Sequence, residues 1–210
     1  MKNPAFHFTL CSVLVLCSFL SFKLNPNTKA TEPEQPNSPK ALSQQQLLDR
    51  GKYLVTAVGC NDCHSPKVMG PRGPELDATR LLSGHPANLP LPAIPKEATK
   101  DWLLFNQNLT AFVGPWGVSY AANITSDPTG IGTWTEEQFF TAIRKGKYKG
   151  LENNRPILPP MPWEQFATFT DDDLRAIFTF LKSTKPVKNV VPAAIPPDMV
   201  SKQSVPTNTR

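Results

Sequence analysis

Cys60-Asn61-Asp62-Cys63-His64 is the stretch whose residue types and spacing can do chemistry. Two thiols three residues apart sit about one helical turn apart, so both can add to the vinyl groups of one porphyrin. The histidine that follows is carried over the ring face, where an imidazole nitrogen can bind iron from the proximal side. This C-x-x-C-H spacing is the attachment pattern for c-type haem. Three other readings use the same residues. A thioredoxin-type dithiol normally follows a strand in a βαβ unit, and here the pattern before Cys60 is helical. A structural zinc site needs two further Cys or His ligands, and only His85 is left to offer one. A disulfide between Cys60 and Cys63 would staple almost no chain.

Iron held by histidine needs a sixth ligand if it is to pass electrons without binding small molecules. A thioether favours ferrous iron and raises the potential. The candidates are Met69, Met161, Met199 and His85. Met69 lies only five residues beyond His64, on the wrong side of the ring to loop over easily, and Met199 is near the C-terminus. Met161 leads, because Leu158-Pro159-Pro160-Met161-Pro162-Trp163 places prolines on both sides of it and limits the freedom of the sulfur. Its alternative is a core gap-filler. His85, within Ser83-Gly84-His85-Pro86, reads as an exposed or hydrogen-bonded loop histidine. An open sixth position would instead permit peroxide, sulfur or nitrogen-oxide chemistry, or a sensing role.

The elements that must position these residues follow from capping signals and periodicity. Ser43-Gln44-Gln45-Gln46 can form a capping box, and Leu47, Leu48, Gly51, Leu54, Val55 and Val58 share one helical face. The pattern predicts a helix from Ser43 to Val58, closed by Gly59, that delivers Cys60 on a rigid element. Thr135-Glu136-Glu137-Gln138 predicts a second helix through Phe139, Phe140 and Ile143 to Gly146. Thr170-Asp171-Asp172-Asp173 opens a third, whose acidic first turn suits the helix dipole and whose Leu174, Ile177, Phe178 and Leu181 fall at i, i+3, i+4 and i+7. Between Pro66 and Ala122 the chain is rich in Pro and Gly. A short helix near Glu97–Asn106 and either irregular chain or a short hairpin at Phe112–Tyr120 are expected there.

The chain has 210 residues, 40% hydrophobic and 19% charged, which excludes a wholly disordered protein, while 23 prolines imply long irregular segments. Residues 1–30 read as a signal peptide or N-terminal membrane anchor: Met1-Lys2, then a mostly apolar run from Ala5 to Phe22, with a small-x-small site at Thr28-Lys29-Ala30. His7, Cys11 and Cys17 fall within it. Without that segment, which carries Lys2, Lys23 and Lys29 and no acid, the net charge drops from +5 to +2. That is too little for a nucleic-acid partner. Residues 31–42 are expected to form a flexible linker, 43–192 the domain, and 193–210 a proline-containing tail. Arg144, Lys145, Lys147 and Lys149 form a basic stretch that could steer an acidic partner or simply be a solvated helix end.

Further motifs surround the haem pattern: Arg50-Gly51-Lys52-Tyr53-Leu54-Val55 before Gly59-Cys60, then Asn123-Ile124-Thr125-Ser126-Asp127, Thr129-Gly130-Ile131-Gly132-Thr133-Trp134, Met161-Pro162-Trp163 and Asp171-Asp172-Asp173-Leu174-Arg175-Ala176-Ile177. Together they resemble a bacterial c-type cytochrome, more narrowly the cytochrome c domains of membrane-bound alcohol, aldehyde and gluconate dehydrogenase cytochrome subunits. The resemblance runs from Leu47 to Pro192 and is thin between Met69 and Tyr120. It implies a mainly α cytochrome c fold with long Pro/Gly-rich loops and the haem in an apolar crevice with one edge exposed. Cys60 and Cys63 then hold haem c covalently, His64 is the proximal iron ligand and Met161 the distal one. Trp134, Phe139 and Trp163 are expected around the porphyrin, with core packing as the alternative for each. Such subunits often carry several C-x-x-C-H motifs in tandem; this chain has one, so a single-haem unit is expected. Ser126 stands where the pattern usually has proline, which affects the local turn. The implied function is one-electron transfer between redox protein partners, a dehydrogenase or an oxidase, outside the cytoplasmic membrane. The carrier itself is not an enzyme.

Overall fold

A computed structural model describes residues 41–95 and 97–200; the expected leader, nearly all of the linker and the last ten residues lie outside the described part. The first helix, α1 (Gln44–Ala57), begins at a complete capping box, in which the Ser43 hydroxyl accepts from the Gln46 amide and the Gln46 side chain accepts from the Ser43 amide. Gly59, left-handed at φ 75°, turns the chain directly into the one-turn helix α2 (Cys60–His64). A hairpin follows, β1 (Lys67–Gly70) with β2 (Gly73–Leu76), Lys67 opposite Leu76. One turn of helix, α3 (Ala98–Asp101), leads to a three-stranded antiparallel sheet in the order β3 (Leu104–Phe105), β4 (Ala111–Gly114), β5 (Gly117–Tyr120). Then come α4 (Glu136–Lys145), a 3-10 turn at Tyr148–Gly150, α5 (Trp163–Phe166), α6 (Asp171–Ser183) and α7 (Pro197–Val200). The hydroxyls of Thr135 and Thr170 cap α4 and α6, each accepting the amide three residues on at 3.1 Å.

Helices α1, α4 and α6 build the hydrophobic core. Leu54 and Val55 meet Leu174, Ile177, Phe178 and Leu181, with Phe139 and Ile143 from α4 and Leu82 and Ile131 from loops. α1 lies so close along α6 that a Cβ at Gly51 would stand 2.0 Å from the Ala176 carbonyl oxygen, so this crossing requires glycine. Arg50 donates to Asp173 across the same interface at 2.8 Å. Packing outweighs that ion pair: burying one large apolar side chain contributes about 1.5–3 kcal/mol, and a surface pair about 0–1.

The expectation of a mainly α chain needs correcting to a small mixed helix-and-sheet protein, since both sheets lie within the Pro/Gly-rich stretch 66–122. The helix expected near 97–106 is only the single turn of α3. Strand pairing of Leu104 with Val113 and Phe105 with Phe112 takes its second half, so tertiary pairing overrides local preference. Phe112–Tyr120 adopts the hairpin alternative. The segment after 192 is also tied down: Val118 and Ile195 exchange both backbone hydrogen bonds, at 2.8 and 2.9 Å.

Candidate functional site

The turn at Gly59 places the three chemically capable side chains at the end of α1. Cys60 and Cys63 are free thiols, both half-buried, so the disulfide reading finds no support. Burial raises both thiol pKa values, that of Cys60 to about 11, which keeps both protonated near neutral pH. Among the described residues no three His, Cys, Asp or Glu side chains converge on a metal position, so the zinc reading lacks a ligand set.

His64 is held from its far side. Its Nδ1 lies 2.7 Å from the carbonyl oxygen of Ala122. A carbonyl can only accept, so Nδ1 carries the proton and Nε2 keeps its lone pair. Burial lowers the histidine pKa, which favours this neutral form. A neutral imidazole with one nitrogen fixed by a backbone carbonyl and the other bare is the form that ligates iron.

The sixth-ligand candidates differ in burial and packing. Met161 is partly buried and packs on the same hydrophobic cluster as Cys60 and Trp134. Met69 is 77% exposed and Met199 44% exposed. His85 is fully buried, which removes the exposed alternative and keeps the hydrogen-bonded one. Its Nε2 donates to the Leu89 carbonyl at 3.2 Å and its Nδ1 accepts from the Thr110 hydroxyl at 3.0 Å, while the ring packs on Tyr120. Both nitrogens are committed, so His85 has no lone pair to give a metal. The Met161 loop is fastened at three points: the Ile157 amide donates to Gly146 O, the Ser119 hydroxyl to Pro159 O, each at 2.6 Å, and the Trp163 amide to Met161 O.

The aromatic expectations divide. Trp134 stays partly uncovered on the shared cluster. Phe139 is buried in the core against Phe178, and the Trp163 ring packs on Gly146 at the end of α4. Of the basic stretch, Arg144 pairs with Asp171 and Lys145 with Glu152. Lys147 and Lys149 have no carboxylate partner among the described residues, and Lys149 lies over the Tyr148 ring.

No protein-family model matches the chain. It is 38% identical over 148 residues to a nicotinate dehydrogenase subunit of Pseudomonas putida, which covers 70% of this chain and 9% of that protein. It is 44% identical over 75 residues to the cytochrome c subunit of a quinone alcohol dehydrogenase of Gluconobacter oxydans, covering 35% of this chain and 15% of that one. A gluconate 2-dehydrogenase cytochrome c subunit of Pantoea cypripedii is 29% identical over 143 residues, 67% of this chain and 24% of that one. The chain is similar to dehydrogenase cytochrome c subunits. It spans a quarter or less of the length of the relatives it matches.

This cytochrome likeness gives the unforeseen residues a setting. Ile124, Phe140, Phe166, Phe169 and Phe180 join Cys60, Trp134 and Met161 as partly uncovered apolar side chains on one core cluster. Periodicity marks some as core-facing, but not their residual exposure. Ala122 contributes only a backbone carbonyl, so no side-chain signal could have found it. The donor set fits a covalently bound haem: two protonated thiols one turn apart, one bare imidazole nitrogen, and a thioether on the same apolar cluster.

Proposed function

We propose that residues 43–192 form a single-haem c-type cytochrome domain that carries one electron at a time between a dehydrogenase or respiratory complex and an acceptor, on the outer side of the cytoplasmic membrane. The observation that carries this reading is His64, neutral and oriented by the Ala122 carbonyl at 2.7 Å, immediately after two free thiols. When bound, the haem supplies an iron that gains and loses one electron. Cys60 and Cys63, both free thiols, would hold the haem covalently through their sulfurs. His64 would ligate the iron through Nε2 and Met161 through Sγ. Trp134, Ile124, Phe140 and their partly uncovered neighbours would keep water from the iron. The apolar run expected to serve as a leader at 1–30 and the cytochrome c subunits among the similar proteins support the same reading. In it, the partners are a dehydrogenase or an oxidase, with membrane attachment through the N-terminal segment if that segment is retained.

The test is a haem-stained denaturing gel with an absorbance spectrum of the exported protein. Pigment that survives denaturation and stays with the chain in acidified organic solvent is expected; pigment that washes out overturns the reading. Met161→Ala should keep covalent haem and lose the low-spin, methionine-ligated signature. An unchanged spectrum would favour the alternative, a haem enzyme or sensor with an open distal site. Electron exchange slowed by Lys147→Glu with Lys149→Glu at low salt, and equalised at high salt, is expected if the basic stretch steers an acidic partner.

A further inference from the structure

Residues 82–87 form a strap behind His64 that two segments grip from one side and a single side chain from the other. On the first side, Leu82 N donates to Ser65 Oγ at 2.8 Å, Gly84 N to His64 O at 2.7 Å, and His85 N to Ala121 O at 2.9 Å. Ile124 N donates back to Leu82 O at 2.9 Å. The path is strained at buried Leu82, whose φ is 60°, and uses glycine for the left-handed turn at Gly84, φ 75°. A Cβ at Gly84 would stand 2.5 Å from Ala121 O, so the strap lies directly on the backbone that offers its Ala122 carbonyl to His64.

The other grip is Asn189. Its Nδ2 donates to Ser83 O at 2.7 Å and to His85 O at 2.8 Å, and its Oδ1 accepts from Ala87 N at 3.0 Å. Both amide protons and one acceptor are thus spent on three backbone groups of one strap. Asn189 is itself anchored, its amide donating to Thr129 Oγ1 at 2.9 Å and its carbonyl accepting from Asn123 Nδ2.

We propose that Asn189 is a positioning residue for the iron ligand His64, holding the strap against Ala121–Ala122 so that the Ala122 carbonyl fixes the imidazole. This rests on the haem reading above. The hydrogen bond at Nδ1 sets the ring plane and strengthens Nε2 as a donor. Loosening the strap weakens that donation to ferric iron and shifts the reduction potential upward.

The experiment compares the holoprotein with Asn189→Leu, which keeps the size without polar atoms or charge, and with Asn189→Ser, which offers a single hydroxyl in place of the amide and tolerates folding better. Thr184→Val is the control, because Thr184 ties the same C-terminal segment to Ser126 away from the strap. Haem content is measured first. Wild-type protein without covalent haem defeats the parent reading, a failure distinct from that of the clamp. With haem present, Asn189→Leu should raise the potential, alter the proximal-histidine resonances and speed exchange of the Gly84 amide at least tenfold. Asn189→Ser should do so to a smaller degree, and Thr184→Val should lower stability while leaving the potential unchanged. A potential and histidine signature unmoved in both Asn189 variants, or moved equally by Thr184→Val, would overturn the proposal.

Discussion

Behind His64 the backbone is crossed by hydrogen bonds from three separate segments, whereas the loop carrying Met161 is shaped by prolines and tied at a few points. The proximal ties run from Ser65, Ala121 and Asn189 into the 82–87 strap, and the strap passes through left-handed conformations at Leu82 and Gly84. The distal ties are those from Ile157, Ser119 and Trp163. The difference is one of physical origin. Ordered polar ties specify a single geometry but leave buried donors stranded when one is cut. Proline stiffening acts largely by restricting the unfolded chain and tolerates small displacements of the native loop. A change behind His64 should therefore cost more stability than a change near Met161, besides any effect on the ligand that each side positions.

The sharpest way to break that contrast is Gly84→Ala. The alanine would sit at φ 75° with its methyl within 2.5 Å of the Ala121 carbonyl oxygen. Backbone strain and overpacking together should cost about 3 kcal/mol, read as a lower denaturation midpoint. Pro162→Ala on the distal side should cost less than about 1 kcal/mol. Equal losses would mean that the two sides do not differ as described. Ser119→Ala is the intermediate case. Buried Ser119 accepts from Trp116 Nε1 at 3.1 Å and donates to Pro159 O at 2.6 Å. Losing both should cost about 1–2 kcal/mol and broaden the methionine-ligated signature, because the Met161 loop is untied from β5. A loss of stability without any spectral change would show that this tie does not reach the sulfur.

The same contrast separates what can be read in the sequence from what cannot. C-x-x-C-H and the caps at Ser43, Thr135 and Thr170 are local, each decided within five residues, and the structure forms the three capped helices close to their expected bounds. Met161 stands out because the prolines beside it are also local, and the structure sets it on the cluster that holds Cys60. The proximal strap is not local. Fifty-eight positions separate His64 from the carbonyl that orients it, and 104 separate His85 from the Asn189 amide. Its groups are largely backbone atoms, identical in every residue, so residue type carries no trace of them. His85 shows the limit well: a histidine between glycine and proline suggests a surface loop, yet Thr110 and Leu89 satisfy both ring nitrogens and let it be buried. The sheets in 66–122 are hidden for the same reason, since two- and four-residue strands leave almost no periodic signal.

A last expected effect is electrostatic and lies where the chain enters the strap. Asp77 accepts from the Thr79 amide at 2.9 Å, the Thr79 hydroxyl at 2.6 Å and Arg80 Nε at 2.7 Å. These donors favour the ionised carboxylate and hold its pKa down to about 2 from an ordinary 3.8. A carboxyl whose folded pKa is depressed contributes its full stability above the unfolded value and loses it as pH falls through the folded one. The Asp77 contribution should thus be complete above about pH 5, be largely lost by about pH 2 and be gone by about pH 1. Asp77→Asn removes the titration, so the stability gap between wild type and variant should shrink steadily as pH is lowered from 5 to 2. Denaturant midpoints measured across that range check it. A gap that stays constant would mean that Asp77 holds the strap entry through shape and neutral hydrogen bonding, and that charge contributes nothing to the ordering of the proximal side.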